Sequence, residues 1–295
     1  MAAEWKGKSR GTVLGYKIFI FCIRKLGLPS AYFILYFVAA YFCFFAFDST
    51  RSTYYYFNKR LNYSKFKSII SIYKSYFVFG QTIIDKIAIS SGLKSKFTYD
   101  YDGIDRIKEI LKQKKGGILI SGHMGNFEIA QHFFGELEEN ECISLLTTNI
   151  EHTAIKDYLD SVTKKPNIKI ILIKEDLSHI FEINAALARN EIVCITGDRY
   201  IKNSKYLEQE LLGKKTKFPA GPFLISSRLQ VPVLFVYVLK ETKKHYHLYA
   251  RTAKTKHRDA KALLKEYTQS LESMIEKYPL QWFNYFDFWN ANNKK

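Results

Sequence analysis

At 295 residues with 47% hydrophobic side chains, the chain has enough apolar material for one large or two small packed domains, which excludes disorder as its main state. A formal charge of +17 points to acidic partners: nucleic acid, anionic lipid headgroups or an acidic carrier protein. An aromatic content of 16%, with 21 Tyr and 23 Phe, favours lipid among them, and the four scattered cysteines, Cys22, Cys43, Cys142 and Cys194, read as reduced apolar residues rather than a disulfide or zinc framework.

The first 27 residues carry Lys6, Lys8, Arg10, Lys17, Arg24 and Lys25 against the single acid Glu4. The apolar stretch Val13 to Ile23 is interrupted by Lys17 and reads as interfacial. Residues 28–47 have no charge and match the roughly 20 residues that cross hydrocarbon, so they predict a membrane-anchoring helix, with a buried core helix as the alternative. Basic residues flank this run on both sides, since Arg51, Lys59, Arg60, Lys65, Lys67 and Lys74 follow it with no acid between Asp48 and Asp85. A cytoplasmic N-terminus follows from the excess of positive charge, and a shallow or hairpin-like insertion suits both flanks better than a single crossing.

Residues 62–90 place Phe66, Ile69, Ile70, Tyr73, Phe77, Ile84 and Ile87 at mostly helical spacing, an amphipathic pattern that suits either packing on a domain or contact with a membrane. From about residue 97 apolar runs at 116–121, 142–147, 168–173, 191–196 and 231–239 alternate with helix-like segments near 102–114, 126–138, 151–163 and 178–189. That alternation predicts an α/β fold with a mixed, largely parallel central sheet flanked by helices. A polar-faced helix over 258–278 then stops before Pro279 and an aromatic tail. The expected organisation is a basic leader with membrane segment (1–50), a basic amphipathic region (51–96) and a catalytic α/β domain (97–295).

The run Ile118 to Ser121 breaks at Gly122 and presents His123, with Glu128 five positions on. On an ideal helix five steps of about 100° separate two side chains by roughly 140°, so His123 must lie in the turn before the helix if the two are to meet. Gly122 and Gly125 permit such a turn. A histidine at the carboxyl end of a sheet strand can take a proton from a hydroxyl near neutral pH, and an adjacent carboxylate can orient it. Candidate donors to a developing oxyanion are the backbone N–H groups of Gly125 and Asn126, or Arg199.

This His-x-x-x-x-Glu pattern after an apolar strand resembles the His-x-x-x-x-Asp/Glu signature of glycerolipid and lipid A acyltransferases. The whole chain is similar to the late lauroyl/myristoyl acyltransferases of lipid A biosynthesis. The likeness runs from the basic leader through the His123 motif and the Gly197-Asp198-Arg199 turn to Gly213–Pro222, Val231-Pro232-Val233 and Pro279-x-Gln281-Trp282. It implies a glycerolipid acyltransferase-like fold in an enzyme of the inner membrane, with its catalytic domain on the cytoplasmic face. Such an enzyme moves a fatty acyl chain from acyl carrier protein or acyl-CoA to a hydroxyl of a lipid acceptor. His123 is then the general base and Glu128 its orienting partner, with no cofactor, metal or nucleic acid required.

The chain departs from the commonest relatives at Glu128, at the Gly197-Asp198-Arg199 turn, at Leu280 and at Asn284-Tyr-Phe-Asp287, which leaves the acceptor open between lipid A precursors and other lipids or pigments. Asp198 and Arg199 read either as substrate-site groups or as a turn cap and a surface cation. Lys214, Lys215 and Lys217 read either as a phosphate site or as a solvated loop. His245 and His247 alternate on a strand without a third metal ligand spaced nearby. A non-catalytic protein that binds anionic membrane or nucleic acid is the alternative from another class.

Overall fold

A computed structural model describes residues 13–93, 96–129, 143–147, 168–174, 176–200, 204–254 and 257–289. Contacts group these into two units: the described residues up to Phe97 together with those from Tyr278 onward, and those between Thr98 and Lys277. The aromatic tail, which the sequence reading kept with the segment 97–295, thus belongs with the N-terminal helices.

The first unit is helical: α1 (Val13–Leu26), α2 (Leu28–Phe45), α3 (Phe47–Tyr55, continuing into a π-helical turn at Tyr56–Arg60) and α4 (Lys65–Ala88). Pro29 sits in the first turn of α2, where a missing N–H leaves no helical bond unmade. The Ser64 hydroxyl accepts the Lys67 N–H at 3.2 Å and starts α4. The tail joins this unit through aromatic contacts. Tyr76 stacks on Tyr285 with centroids 4.8 Å apart, and the Tyr56 hydroxyl donates to the Pro279 carbonyl at 2.9 Å.

The second unit holds, in chain order, β1 (Thr98–Asp102), α5 (Ile104–Lys112), β2 (Gly117–Ser121), β3 (Ile143–Thr147), β4 (Ile168–Leu172), α6 (His179–Ala188), β5 (Ile192–Thr196), β6 (Tyr206–Leu211), β7 (Lys214–Pro219), α7 (Ala220–Arg228), β8 (Val233–Lys240), β9 (His245–Thr252) and α8 (Ala260–Lys277). Seven strands form one sheet in the order β1-β9-β8-β2-β5-β3-β4, and β6 and β7 form a separate antiparallel hairpin. Within the large sheet only β8 and β9 run antiparallel. The mixed, largely parallel α/β architecture is therefore as expected. Every residue of β2 and β8 is buried, which is why both read as unbroken apolar runs.

All five apolar runs are strands. The expected helices near 102–114, 178–189 and 258–278 are α5, α6 and α8. Of the helix expected over 126–138, residues 127–129 form a single 3₁₀ turn, while 130–138 and the helix expected over 151–163 lie outside the described residues. The strand β1 and the β6–β7 hairpin are additions to the sequence reading. β1 and most of β6 alternate exposed with partly covered positions, and β7 buries only Thr216 and Phe218 among its lysines, so none of them has an apolar run to announce it.

Candidate active site

Strands β2 and β5 are neighbours in the sheet and pair in parallel, with Ser121 opposite Thr196. Two residues beyond that pair, His123 and Asp198 emerge together at the carboxyl ends of their strands, where ligand sites of parallel sheets gather. The His123 Nδ1 stands 2.7 Å from Asp198 Oδ1, and the His123 backbone N–H donates to Asp198 Oδ2 at 2.9 Å. Both carboxylate oxygens thus engage one residue. The Asp198 side chain has no exposure, whereas that of His123 keeps 29%. The imidazole is open to a substrate while its partner is sealed from water.

The turn is pinned from three directions. The Gly197 N–H and the Tyr267 hydroxyl, the latter from α8, both donate to the Ser121 carbonyl, at 2.8 and 3.0 Å. A Cβ on Gly122 would lie 2.8 Å from the Tyr267 hydroxyl oxygen and 3.3 Å from Asp198 Oδ2, so only glycine lets the carboxylate close on the histidine. At Gly125 φ is +66°, and a Cβ would fall 2.0 Å from the Val238 carbonyl oxygen. That same oxygen accepts the Asn126 N–H at 2.7 Å, which ties the turn to β8.

Burial lowers the His123 pKa below its ordinary 6.5, and the nearby Arg199 guanidinium lowers it further, while Asp198 opposes both. Burial alone would raise the Asp198 carboxyl. The charge and hydrogen bonds of His123, together with Arg199, outweigh it and hold Asp198 well below the usual carboxylate range. At neutral pH the pair is therefore a neutral imidazole beside a carboxylate. With Asp198 accepting at Nδ1, that nitrogen carries the proton and Nε2 is left unprotonated.

His123 precedes the 3₁₀ turn Phe127–Ile129, as the helical geometry required. Glu128 lies on that turn, and its side chain is outside the described residues. The carboxylate described beside the imidazole is that of Asp198. It was expected among substrate-binding groups, and it lies fully buried against His123. The Asn126 N–H, an expected oxyanion donor, is hydrogen-bonded to the Val238 carbonyl at 2.7 Å.

The lysines lie on the β6–β7 hairpin. Lys215 pairs with Glu208 at 2.7 Å, and the Lys217 ammonium stands 4.4 Å from the Tyr206 ring centroid. His245 and His247 approach Glu241, at 3.7 and 3.4 Å, and His245 also approaches Asp100 at 3.5 Å. Among the described residues, Tyr267 is a member of the site that sequence reasoning missed. It sits among the apolar positions of an amphipathic helix, with nothing local to mark it.

No curated protein matches the chain. The family described as bacterial lipid A biosynthesis acyltransferase matches residues 8–289, which takes in both units and the histidine turn. By that match the chain belongs to the bacterial lipid A biosynthesis acyltransferase family and is an acyltransferase enzyme.

Proposed function

We propose that this enzyme transfers a fatty acyl chain from an acyl thioester to a hydroxyl of a lipid A precursor at the cytoplasmic face of the inner membrane, with His123 as general base and Asp198 as its positioning residue. The observation that carries this reading is the His123–Asp198 contact at the adjoining ends of β2 and β5. His123 Nε2 takes the acceptor hydroxyl proton as the oxygen bonds to the thioester carbonyl carbon. The imidazolium so formed is stabilised by the Asp198 carboxylate. The tetrahedral oxyanion is held by the Gly125 N–H and the Arg199 guanidinium, then collapses and breaks the carbon–sulfur bond. The departing thiolate receives the proton from His123, which returns the base to its neutral state.

The Nδ1 proton serves one carboxylate at a time, and Asp198 fills that place. Comparison of Glu128→Gln with Asp198→Asn in one assay tells which of the two carboxylates orients the base. The +17 charge favours an acidic carrier protein over coenzyme A as donor. Lys214, Lys215 and Lys217 would meet the phosphate of the donor arm or the acceptor. Membrane attachment through the N-terminal helices is part of this reading, since the acceptor is a lipid.

The test is release of free thiol from acyl carrier protein or coenzyme A donors, measured with a lipid A precursor present, followed by mass spectrometry of the lipid. Acceptor-dependent release with one added acyl mass is expected for the native chain and none for His123→Ala. Full transfer by His123→Ala would overturn the assignment, and transfer only to a different lipid would correct the acceptor.

A further inference from the structure

Helix α2 has 18 residues and is about 27 Å long, near the ~30 Å of a bilayer's hydrocarbon core, so its length permits a crossing. Its mean hydropathy is 1.8, and only 28% of it is buried within the protein, which sets it apart from a core helix. The neighbour of α2 argues against a crossing. Tyr32 hydrogen-bonds Asp85, Tyr36 stacks on Phe77 at 4.5 Å and Phe42 meets Tyr76 at 6.2 Å, so α4 runs antiparallel along most of α2. Yet α4 carries Lys67, Lys74 and Asp85 and buries Ser68, Ser71 and Ser75. The contacts with α2 run from Tyr73 to Asp85, so a crossing α2 would carry Lys74, Ser75 and Asp85 towards hydrocarbon, where ionised side chains are strongly disfavoured. The helix α4 is moreover held in the folded unit by the tail, through the Tyr76–Tyr285 stack and a 3.1 Å hydrogen bond between the Ser75 and Tyr285 hydroxyls.

The outward side of this pair is apolar on both helices. Phe33, Phe37, Phe44 and Phe45 of α2 and Phe66 and Ile69 of α4 are all exposed, reaching 66% at Phe37, 70% at Phe44 and 75% at Phe66. Tyr36 and Tyr73 join the two rows, the Tyr73 hydroxyl donating to the Tyr36 carbonyl at 3.4 Å. Clustered exposure of this kind marks an interaction surface, unlike single scattered hydrophobes. Exposed Lys17, Arg24 and Lys25 precede α2, and Arg51, Lys59, Lys65 and Lys67 follow it. Cations around an apolar face complement an anionic lipid surface.

We infer that α2 and α4 together form a monotopic seat, which inserts an apolar ridge into one leaflet of an anionic bilayer without crossing it. The inference rests on the membrane attachment proposed above and specifies its geometry. The full chain, made in bacterial cells, is treated with a membrane-impermeant amine reagent in spheroplasts and in inside-out vesicles, and the exposed Lys25 and Lys59 on either side of α2 are read by mass spectrometry. Both are expected to react in inside-out vesicles and neither in spheroplasts. Reaction of Lys59 from the spheroplast side would overturn the seat while leaving attachment intact. In parallel, the purified chain is floated with phosphatidylglycerol vesicles, where Phe66→Asp with Ile69→Asp is expected to lower partitioning about tenfold. Unchanged flotation of that variant would remove α4 from the seat and overturn the inference, whereas failure of the native chain to float would overturn the attachment itself.

Discussion

Strands β2 and β5 carry a buried carboxylate at each end of their shared run, and the two carboxylates have opposite fates. At the carboxyl end Asp198 is matched to one titratable imidazole and to that residue's backbone amide. At the amino end Glu191 accepts from Lys169 at 2.5 Å, from Arg189 Nε at 2.7 Å and from the Ser144 hydroxyl at 2.8 Å, fastening β3, β4 and β5 together. Burial would raise the Glu191 carboxyl, but the hydrogen bonds from Arg189, Lys169 and Ser144 outweigh it and hold it at about 2. A carboxylate saturated by permanent cations can only stabilise. One whose charged partner can gain and lose a proton can take part in chemistry.

The largest effect expected is at the base. His123→Ala should lower acyl transfer by about 10³-fold or more, measured by thiol release, and should also lower the thermal midpoint, measured by calorimetry, because it removes the side-chain partner of the buried Asp198 carboxylate. Asp198→Asn keeps the shape but removes the charge and the correct tautomer, and should lower kcat by about 10³-fold. Glu191→Gln should leave kcat alone at a permissive temperature, and an equal loss of kcat in both carboxylate variants would dissolve the contrast between the two ends.

The acid limb of kcat/KM gives a sharper version of the same contrast. Transfer needs neutral His123, whose pKa is lowered, so activity should persist below pH 6.5 and then fall tenfold per unit as the imidazole protonates. Arg199 depresses that pKa and Asp198 raises it. Arg199→Gln should therefore move the limb to higher pH and Asp198→Asn to lower pH, and a limb fixed in both variants would mean that another group titrates.

At the amino end the pH effect belongs to stability. The Glu191 pKa is depressed on folding, so its contribution is complete above about 4.5 and is lost as the pH falls towards about 2. Chemical denaturation should show Glu191→Gln less stable by about 2 kcal/mol at neutral pH, with the gap closing over that acid window. The smallest effect is expected for Tyr267→Phe, which loses one hydrogen bond to Ser121 and should cost about 1 kcal/mol of stability. Loss of activity far beyond that stability change would show that Tyr267 also sets the His123–Asp198 geometry.

Much of the α/β unit is legible residue by residue. Ile118 to Ser121, Ile192 to Thr196 and Val233 to Leu239 are apolar because both faces of their strands are covered, and that need is written locally. The strand Thr98–Asp102 is not legible, since its alternating Asp and Tyr side chains suit a partly exposed edge or a loop equally well. His123 was visible from the glycines around it and the strand before it. Its partner was not. Asp198 lies 75 residues away and Tyr267 lies 146 residues beyond Ser121, so no local pattern connects either to the histidine turn.

The sequence by itself determined the alternating strand and helix pattern, the histidine at a strand end and the apolar faces of α2 and α4, because each arises from periodicity within a short window. Only the tertiary structure decided that β5 lies beside β2 with Ser121 opposite Thr196, and hence that Asp198 meets His123. Strand order and register are products of long-range packing. The turn after β2 supplied the histidine, and the neighbour chosen by the sheet supplied the carboxylate beside it.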